Sequence, residues 1–217
     1  MKLTMTSTFL LVAIFASTSA SAVEIISRAE WGAQNAISKR ADPIEIVPTG
    51  NNRVAAENIM TPLGDVKYLT VHHSGTPSKT KPISKHMSDF QKLMFSYNID
   101  YNNGVKKDIY LGDVPYHFLI NRKGEVAEGR ELLYAAYSNT VYKTPIEEHV
   151  TVVLDGNFDV EVPSKEQISS LTSLLADLSE KFNVQISNIG VHNDVAQTSC
   201  PGENLEKLMP AVIRSLK

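Results

Sequence analysis

Cysteine is nearly absent from this chain: Cys200 is the one thiol in 217 residues, so no internal disulfide can form. Beyond residue 22 no apolar run is long enough to cross the ~30 Å of bilayer hydrocarbon, which excludes a membrane-spanning helix from the body of the chain. An excess of basic charge is missing too. The 21 Lys and Arg are outnumbered by 24 Asp and Glu, for a net charge of −3. That balance provides no footprint for nucleic acid and no electrostatic docking on anionic lipid. Internal repeats and low-complexity tracts are lacking as well. What is present, 42% hydrophobic and 21% charged residues, suits a globular chain able to bury a core without disulfides.

The first 22 residues carry a separate pattern. Lys2 supplies a positive start, Phe9 to Phe15 an apolar stretch, and Ala20-Ser21-Ala22 a small-x-small cleavage signal. The expectation is a secretory signal peptide, residues 1–22, removed after Ala22. Its apolar stretch is too short for stable membrane insertion, and no cysteine follows it to carry a lipid anchor. Losing Lys2 leaves 20 basic against 24 acidic residues, a net charge of −4. The expected location is therefore outside the cytoplasm, periplasmic or secreted. A lone thiol there is a buried small hydrophobe, half of an intermolecular bridge, or a metal ligand held as a shielded thiolate.

Residues 23–66 read as a loop-rich extension packed on the main body, punctuated by Pro43, Pro48, Gly50-Asn51-Asn52 and Pro62, with Ser27 capping a short helical turn. Residues 67–217 form the principal domain. In the strand over 66–73, Tyr68, Thr70 and His72 share one face, and Leu69, Val71 and His73 the other. Met87, Phe90 and Met94 predict a helix over 83–95. Residues 98–112 read as a turn-rich loop. A hairpin follows, with strands over 116–121 and 125–128 about Arg122-Lys123-Gly124. The apolar run 150–154 suits a buried central strand. Ser164 and Gln167 form a capping box before a helix with Ile168, Leu171, Leu175, Leu178 and Phe182 on one face. A last strand, 186–191, runs into His192, and the segment from Glu203 is helical with a break at Pro210. The fold class is α/β, a single domain with a mixed central β-sheet flanked by helices.

His72 and His192 both end strands, and Cys200 follows eight residues after His192. Two imidazoles and a thiolate match the preferences of zinc and leave a fourth position for water. Spacing alone also admits ordinary structural histidines, because 119 residues separate His72 from His192. His73 and His117 point away from their neighbours and read as structural; His86 and His149 read as solvated.

Five segments resemble one family in order: Val71-His72-His73-Ser74, Asp113 to Ile120, Gly124 to Arg130, His192-Asn193-Asp194, and Thr198-Ser199-Cys200-Pro201-Gly202. Asp155-Gly156-Asn157-Phe158 also falls in its expected place. They are similar to the type 2 N-acetylmuramoyl-L-alanine amidases, which include peptidoglycan recognition proteins and amidase-type phage lysozymes. The resemblance implies a Zn2+ held by His72, His192 and Cys200, a tyrosine beside the metal at Tyr116, and a hydrogen-bonding residue at Thr198, where relatives carry Lys or Thr. It implies hydrolysis of the amide between N-acetylmuramic acid and L-alanine, with peptidoglycan or muropeptides as partner.

The chain departs from the family pattern over Tyr134-Ala135-Ala136-Tyr137-Ser138-Asn139 and 144–149, where relatives carry a Gly-Ala-His-like segment and an Asn. Two other readings are open. One is a recognition module that binds peptidoglycan without cutting it, although such members lack the cysteine. The other is a cysteine hydrolase pairing Cys200 with His192, although Pro201-Gly202 provides no helix N-terminus to activate the thiol. Glu128 is near enough in the hairpin to be considered as a base but reads as a surface group.

Overall fold

The computed structural model describes residues 23–36, 60–95, 97–100, 106–109, 112–137 and 142–216. The expected signal peptide lies outside the described residues, as do Pro43, Pro48, Gly50-Asn51-Asn52 and Ser138-Asn139. The elements run β1 (Ile25–Ile26), β2 (Tyr68–His73), α1 (Ile83–Phe95), β3 (Tyr97–Asp100), β4 (Lys106–Ile109), β5 (Phe118–Ile120), β6 (Val126–Glu128), β7 (His149–Leu154), α2 (Lys165–Phe182), β8 (Ile189–Val191), α3 (His192–Val195), α4 (Glu203–Glu206) and α5 (Met209–Arg214). Three-residue 3-10 turns precede β7 and β8.

The alternation of side chains along the strands builds two apolar layers. Leu69, Val71, Phe118, Ile120, Val150, Val152 and Leu154 meet Leu171, Leu174, Leu175 and Leu178 of α2. Each fully buried leucine there contributes roughly 1.5–3 kcal/mol. The opposite face gives Leu119, Ala127 and Val153, which pack with Ile83 and Met87 of α1 and with Trp31. Between these layers the strand order is β1-β6-β5-β7-β2-β8. Within this six-stranded sheet β5 and β6 pair antiparallel and the other neighbours are parallel. The result is one α/β domain with a mixed sheet flanked by helices.

Helix α2 begins as its sequence specifies. The Gln167 N–H donates to Ser164 Oγ at 3.0 Å, and the Ser164 N–H donates to Gln167 Oε1 at 3.1 Å. Gln167 Nε2 also donates to the Asp155 carbonyl at 3.0 Å, which ties the helix start to the end of β7. The helix ends at Asn183, whose left-handed φ of 52° turns the chain back. Helix α1 covers the residues its periodicity marks.

Four local expectations need correction. Residues 97–100 and 106–109 are paired antiparallel strands, Tyr97 opposite Ile109, where a loop was expected. Backbone pairing decides that segment, and its polar composition concealed it. Ile25–Ile26 adds an edge strand beside Val126–Ala127, because two apolar residues gain ladder hydrogen bonds that a loop would leave to water. The segment from Asn193 to Gly202, which reads from sequence as loop, opens with a helical turn over 192–195. Pro210 lies in the first turn of α5, where its missing N–H leaves no bond unmade, so the break falls before it.

Candidate metal centre

Strand register brings the two distant histidines together. β2 and β8 run parallel with Val71 opposite Val191, so the next residues, His72 and His192, come side by side. Their ring centroids are 4.2 Å apart. The His192 turn is closed by Asp194, whose carboxylate accepts the Val191 N–H at 2.9 Å. That bond accounts for the aspartate in His192-Asn193-Asp194.

Cys200 completes the cluster. Its Sγ lies 3.7 Å from His72 Nδ1, and the His73 N–H donates to it at 3.4 Å. The Cys200 N–H donates to Thr198 Oγ1 at 3.1 Å, so Thr198 braces the loop carrying the sulfur. Gly202, at φ 85°, lies against the Phe158–Asp159 backbone where a Cβ would collide. Glycine at that position lets the Cys200 loop pack down on the end of the sheet.

Ligand atoms of His72, His192 and Cys200 lie within 4.8 Å of one another, and all three residues are buried. Two tetrahedral ligands at about 2.1 Å and 2.3 Å from one Zn2+ stand about 3.6 Å apart, which the 3.7 Å separation of Nδ1 and Sγ matches. Protonation chemistry fits as well. Burial holds the His72 imidazole neutral well below its ordinary range, with the neighbouring His192 adding to the effect. Burial likewise lowers His192 to about 4. Both rings therefore keep a lone pair to offer at neutral pH. Burial pushes the Cys200 thiol up to about 12, so the free thiol is a poor nucleophile, whereas a coordinating cation strips the proton outright.

Tyr116 stands on one side of His72, ring centroids 5.1 Å apart, with Phe90 behind it at 6.3 Å. Desolvation raises its phenol above the ordinary value, with Cys200 and Tyr142 adding to it, so the hydroxyl stays protonated. The strand expected from Tyr116 starts at Phe118 instead, because residues 113–116 are held by the Gly129-Arg130 segment. Arg130 Nε donates to the Val114 carbonyl at 3.0 Å, Nη2 to the Asp113 carbonyl at 3.3 Å, and the Arg130 N–H to the Tyr116 carbonyl at 2.8 Å. Gly129 permits this approach, since a Cβ there would overlap the Tyr116 carbonyl oxygen.

The remaining histidines divide in two. His73 and His117 are structural, as expected. His73 Nδ1 accepts the Phe158 N–H at 3.2 Å, and His117 Nδ1 accepts the Thr151 N–H at 2.9 Å. His86 and His149 are buried, against the expectation of solvation. His86 lies 3.8 Å from the buried carboxylate of Asp155. His149 bonds Thr70 Oγ1 at 2.8 Å and Thr144 Oγ1 at 2.7 Å, a pair of partners that no local pattern announces. Glu128 accepts the Arg28 N–H at 3.1 Å, and its carbonyl accepts Trp31 Nε1–H at 2.7 Å, so it fastens the N-terminal segment. A residue that sequence reasoning passed over is Tyr142, whose hydroxyl lies 2.9 Å from His72 Nε2. It falls between the two stretches where the chain leaves the family pattern, and a lone tyrosine between turn residues carries no signal.

A mixed α/β sheet brings His72 and His192, at the ends of adjacent parallel strands, together with Cys200 in a buried cluster that could hold a metal ion. Residues 62–203, well over half of the chain, match the family described as N-acetylmuramoyl-L-alanine amidase, and the protein belongs to that family. It is 26% identical over 200 residues to peptidoglycan-recognition protein SC2 of Drosophila melanogaster, covering 90% of each chain. It is 34% identical over 98 residues to the endolysin of Enterobacteria phage T3, covering 44% of this chain and 63% of the endolysin. Among solved structures it shares the fold of peptidoglycan recognition protein-LE in complex with tracheal cytotoxin, a monomeric diaminopimelic acid-type peptidoglycan. The TM-score is 0.58 and identity 21%, over 86% of this chain and 92% of that one.

Proposed function

We propose that this protein is an exported, zinc-dependent amidase that hydrolyses the bond between N-acetylmuramic acid and L-alanine in peptidoglycan or its fragments. The observation that carries the reading is the convergence of His72, His192 and Cys200, with ligand atoms within 4.8 Å. Family membership supports the scissile bond. The leader-like residues 1–22 support export, periplasmic or secreted.

A Zn2+ held by His72, His192 and Cys200 would lower the pKa of its water toward ~7 and polarise the scissile carbonyl. The chain's residues do the rest. His72 and His192 stay neutral and present lone pairs. Tyr116 keeps its proton and donates a hydrogen bond as negative charge develops on the carbonyl oxygen. Thr198 Oγ1 accepts the Cys200 N–H, and in this reading its own O–H donates to the same oxygen. It brings no positive charge, so its contribution is smaller than that of a lysine.

A second reading is a recognition protein that binds peptidoglycan without cleaving it. The name of the Drosophila relative, aligned over 90% of the chain, favours it. The retained sulfur in the cluster favours the enzyme. Use of Cys200 as a nucleophile is disfavoured by burial, which raises rather than lowers its thiol.

The deciding experiment digests defined muropeptides with the mature protein and identifies products by mass spectrometry. The amidase releases free stem peptides with new L-alanine amino termini and leaves glycan strands uncut. EDTA abolishes the reaction and zinc restores it. Disaccharide-peptide products, or cleavage within the stem, overturn the amidase reading; binding with no cleavage establishes the recognition reading.

A further inference from the structure

His72 uses its two ring nitrogens in opposite directions. Nδ1 faces Cys200 Sγ at 3.7 Å, and Nε2 faces the Tyr142 hydroxyl at 2.9 Å. A neutral imidazole carries one N–H and one lone pair, and the hydrogen bond at one nitrogen decides which is which. With Nδ1 turned to the cluster, the N–H belongs on Nε2 and donates to Tyr142 Oη.

The tyrosine is itself held in place. Its ring stands edge-on to His149 at 4.6 Å and 77°, and 5.2 Å from His192. His149 is locked by Thr70 and Thr144 and stacks on Tyr68 at 4.7 Å. The next residue ties this segment to the turn that carries His192, since the Lys143 N–H donates to the Val195 carbonyl at 2.6 Å. Tyr142 thus joins the stretch between the two departures from the family pattern to both histidines of the cluster.

We infer that Tyr142 is a positioning residue for the metal centre, its hydroxyl accepting the His72 Nε2–H and holding the Nδ1 lone pair toward His192 and Cys200. The inference rests on the proposed zinc site. Groups that orient a metal-bound imidazole in this way are worth about 10–100-fold in metal affinity. Tyr142 touches His72 and need not touch substrate, so its role is distinct from that of Tyr116.

The test compares the mature wild-type protein with Tyr142→Phe, Tyr142→Leu and Cys200→Ser. Zinc affinity is measured by competition with a chromophoric chelator, and the cobalt-substituted forms are examined by visible absorption. Tyr142→Phe keeps the ring against His149 and removes only the hydroxyl. It is expected to bind zinc about 10–100-fold more weakly and to shift the cobalt bands, with the melting curve of the metal-free protein nearly unchanged. If Tyr142→Phe binds zinc as wild type does while Cys200→Ser does not, the metal site stands and this inference falls. If only Tyr142→Leu is impaired, Tyr142 serves packing alone and the inference is equally overturned. If wild type and Cys200→Ser bind zinc alike, the metal reading falls and takes the inference with it.

Discussion

Gly129→Ala tests whether the hairpin positions Tyr116. The new Cβ would sit more than about 1 Å inside ordinary contact with the Tyr116 carbonyl oxygen, and it would crowd Val114. Both obstacles belong to the segment that Arg130 clamps, so neither is the free end of a flexible side chain. Relief requires the Tyr116 backbone to move by about 1 Å. That motion strains the bonds from the Gly129 N–H to the His117 carbonyl at 2.7 Å and from the Arg130 N–H to the Tyr116 carbonyl at 2.8 Å. Overpacking of this kind costs about 1–3 kcal/mol, and at 2–4 °C per kcal/mol for a domain of this size the melting temperature falls by roughly 2–12 °C. A 1 Å misplacement of a reacting-site group costs about 10²-fold in rate. The expected result is a folded protein with kcat reduced about 100-fold and zinc content unchanged, because the proposed ligands lie on β2, α3 and the Cys200 loop. Muropeptide turnover, thermal unfolding by circular dichroism and elemental analysis report the three quantities. Wild-type turnover and melting together would refute the argument that Gly129 sets the Tyr116 backbone.

Cys200→Ser should lose most of its zinc by elemental analysis, since a hydroxyl does not replace thiolate; full occupancy would remove Cys200 from the ligand set. Tyr116→Phe should retain metal and lower kcat by ~10²–10³ with little change in KM, the loss expected for one oxyanion donor. Wild-type turnover in that variant would reduce Tyr116 to packing. The EDTA-treated protein should lose stability as pH falls from about 6.5 toward 4. Burial lowers His117 and His149 each to about 4, so the unfolded chain takes up protons that the folded chain refuses. The contribution of these two groups is complete above about pH 6.5, and a denaturation midpoint equal at pH 7 and pH 5 would contradict it.

Where local chemistry suffices, the sequence alone determined the structure. The Ser164–Gln167 box starts α2, the 3.6-residue periodicity bounds α1, and the turn at Gly124 makes the β5–β6 hairpin. Alternation along 68–73 placed His72 on one face and His73 on the other, where it meets Phe158. That His72, His192 and Cys200 belong to one cluster was legible through family motifs, whereas their spacing said little. The decision that His72 and His192 are neighbours belongs to the tertiary structure, in the β2–β8 register. The same holds for burial of the imidazoles. His149 is enclosed because Thr70, 79 residues away, and Thr144 satisfy both its nitrogens, and His86 because Asp155 lies across the packed loop. A buried polar group is stable only with its partners in place, and partners from distant segments leave no periodic trace in the chain. Tyr142 has no helical or strand pattern around it, and only the folded chain sets its hydroxyl 2.9 Å from His72.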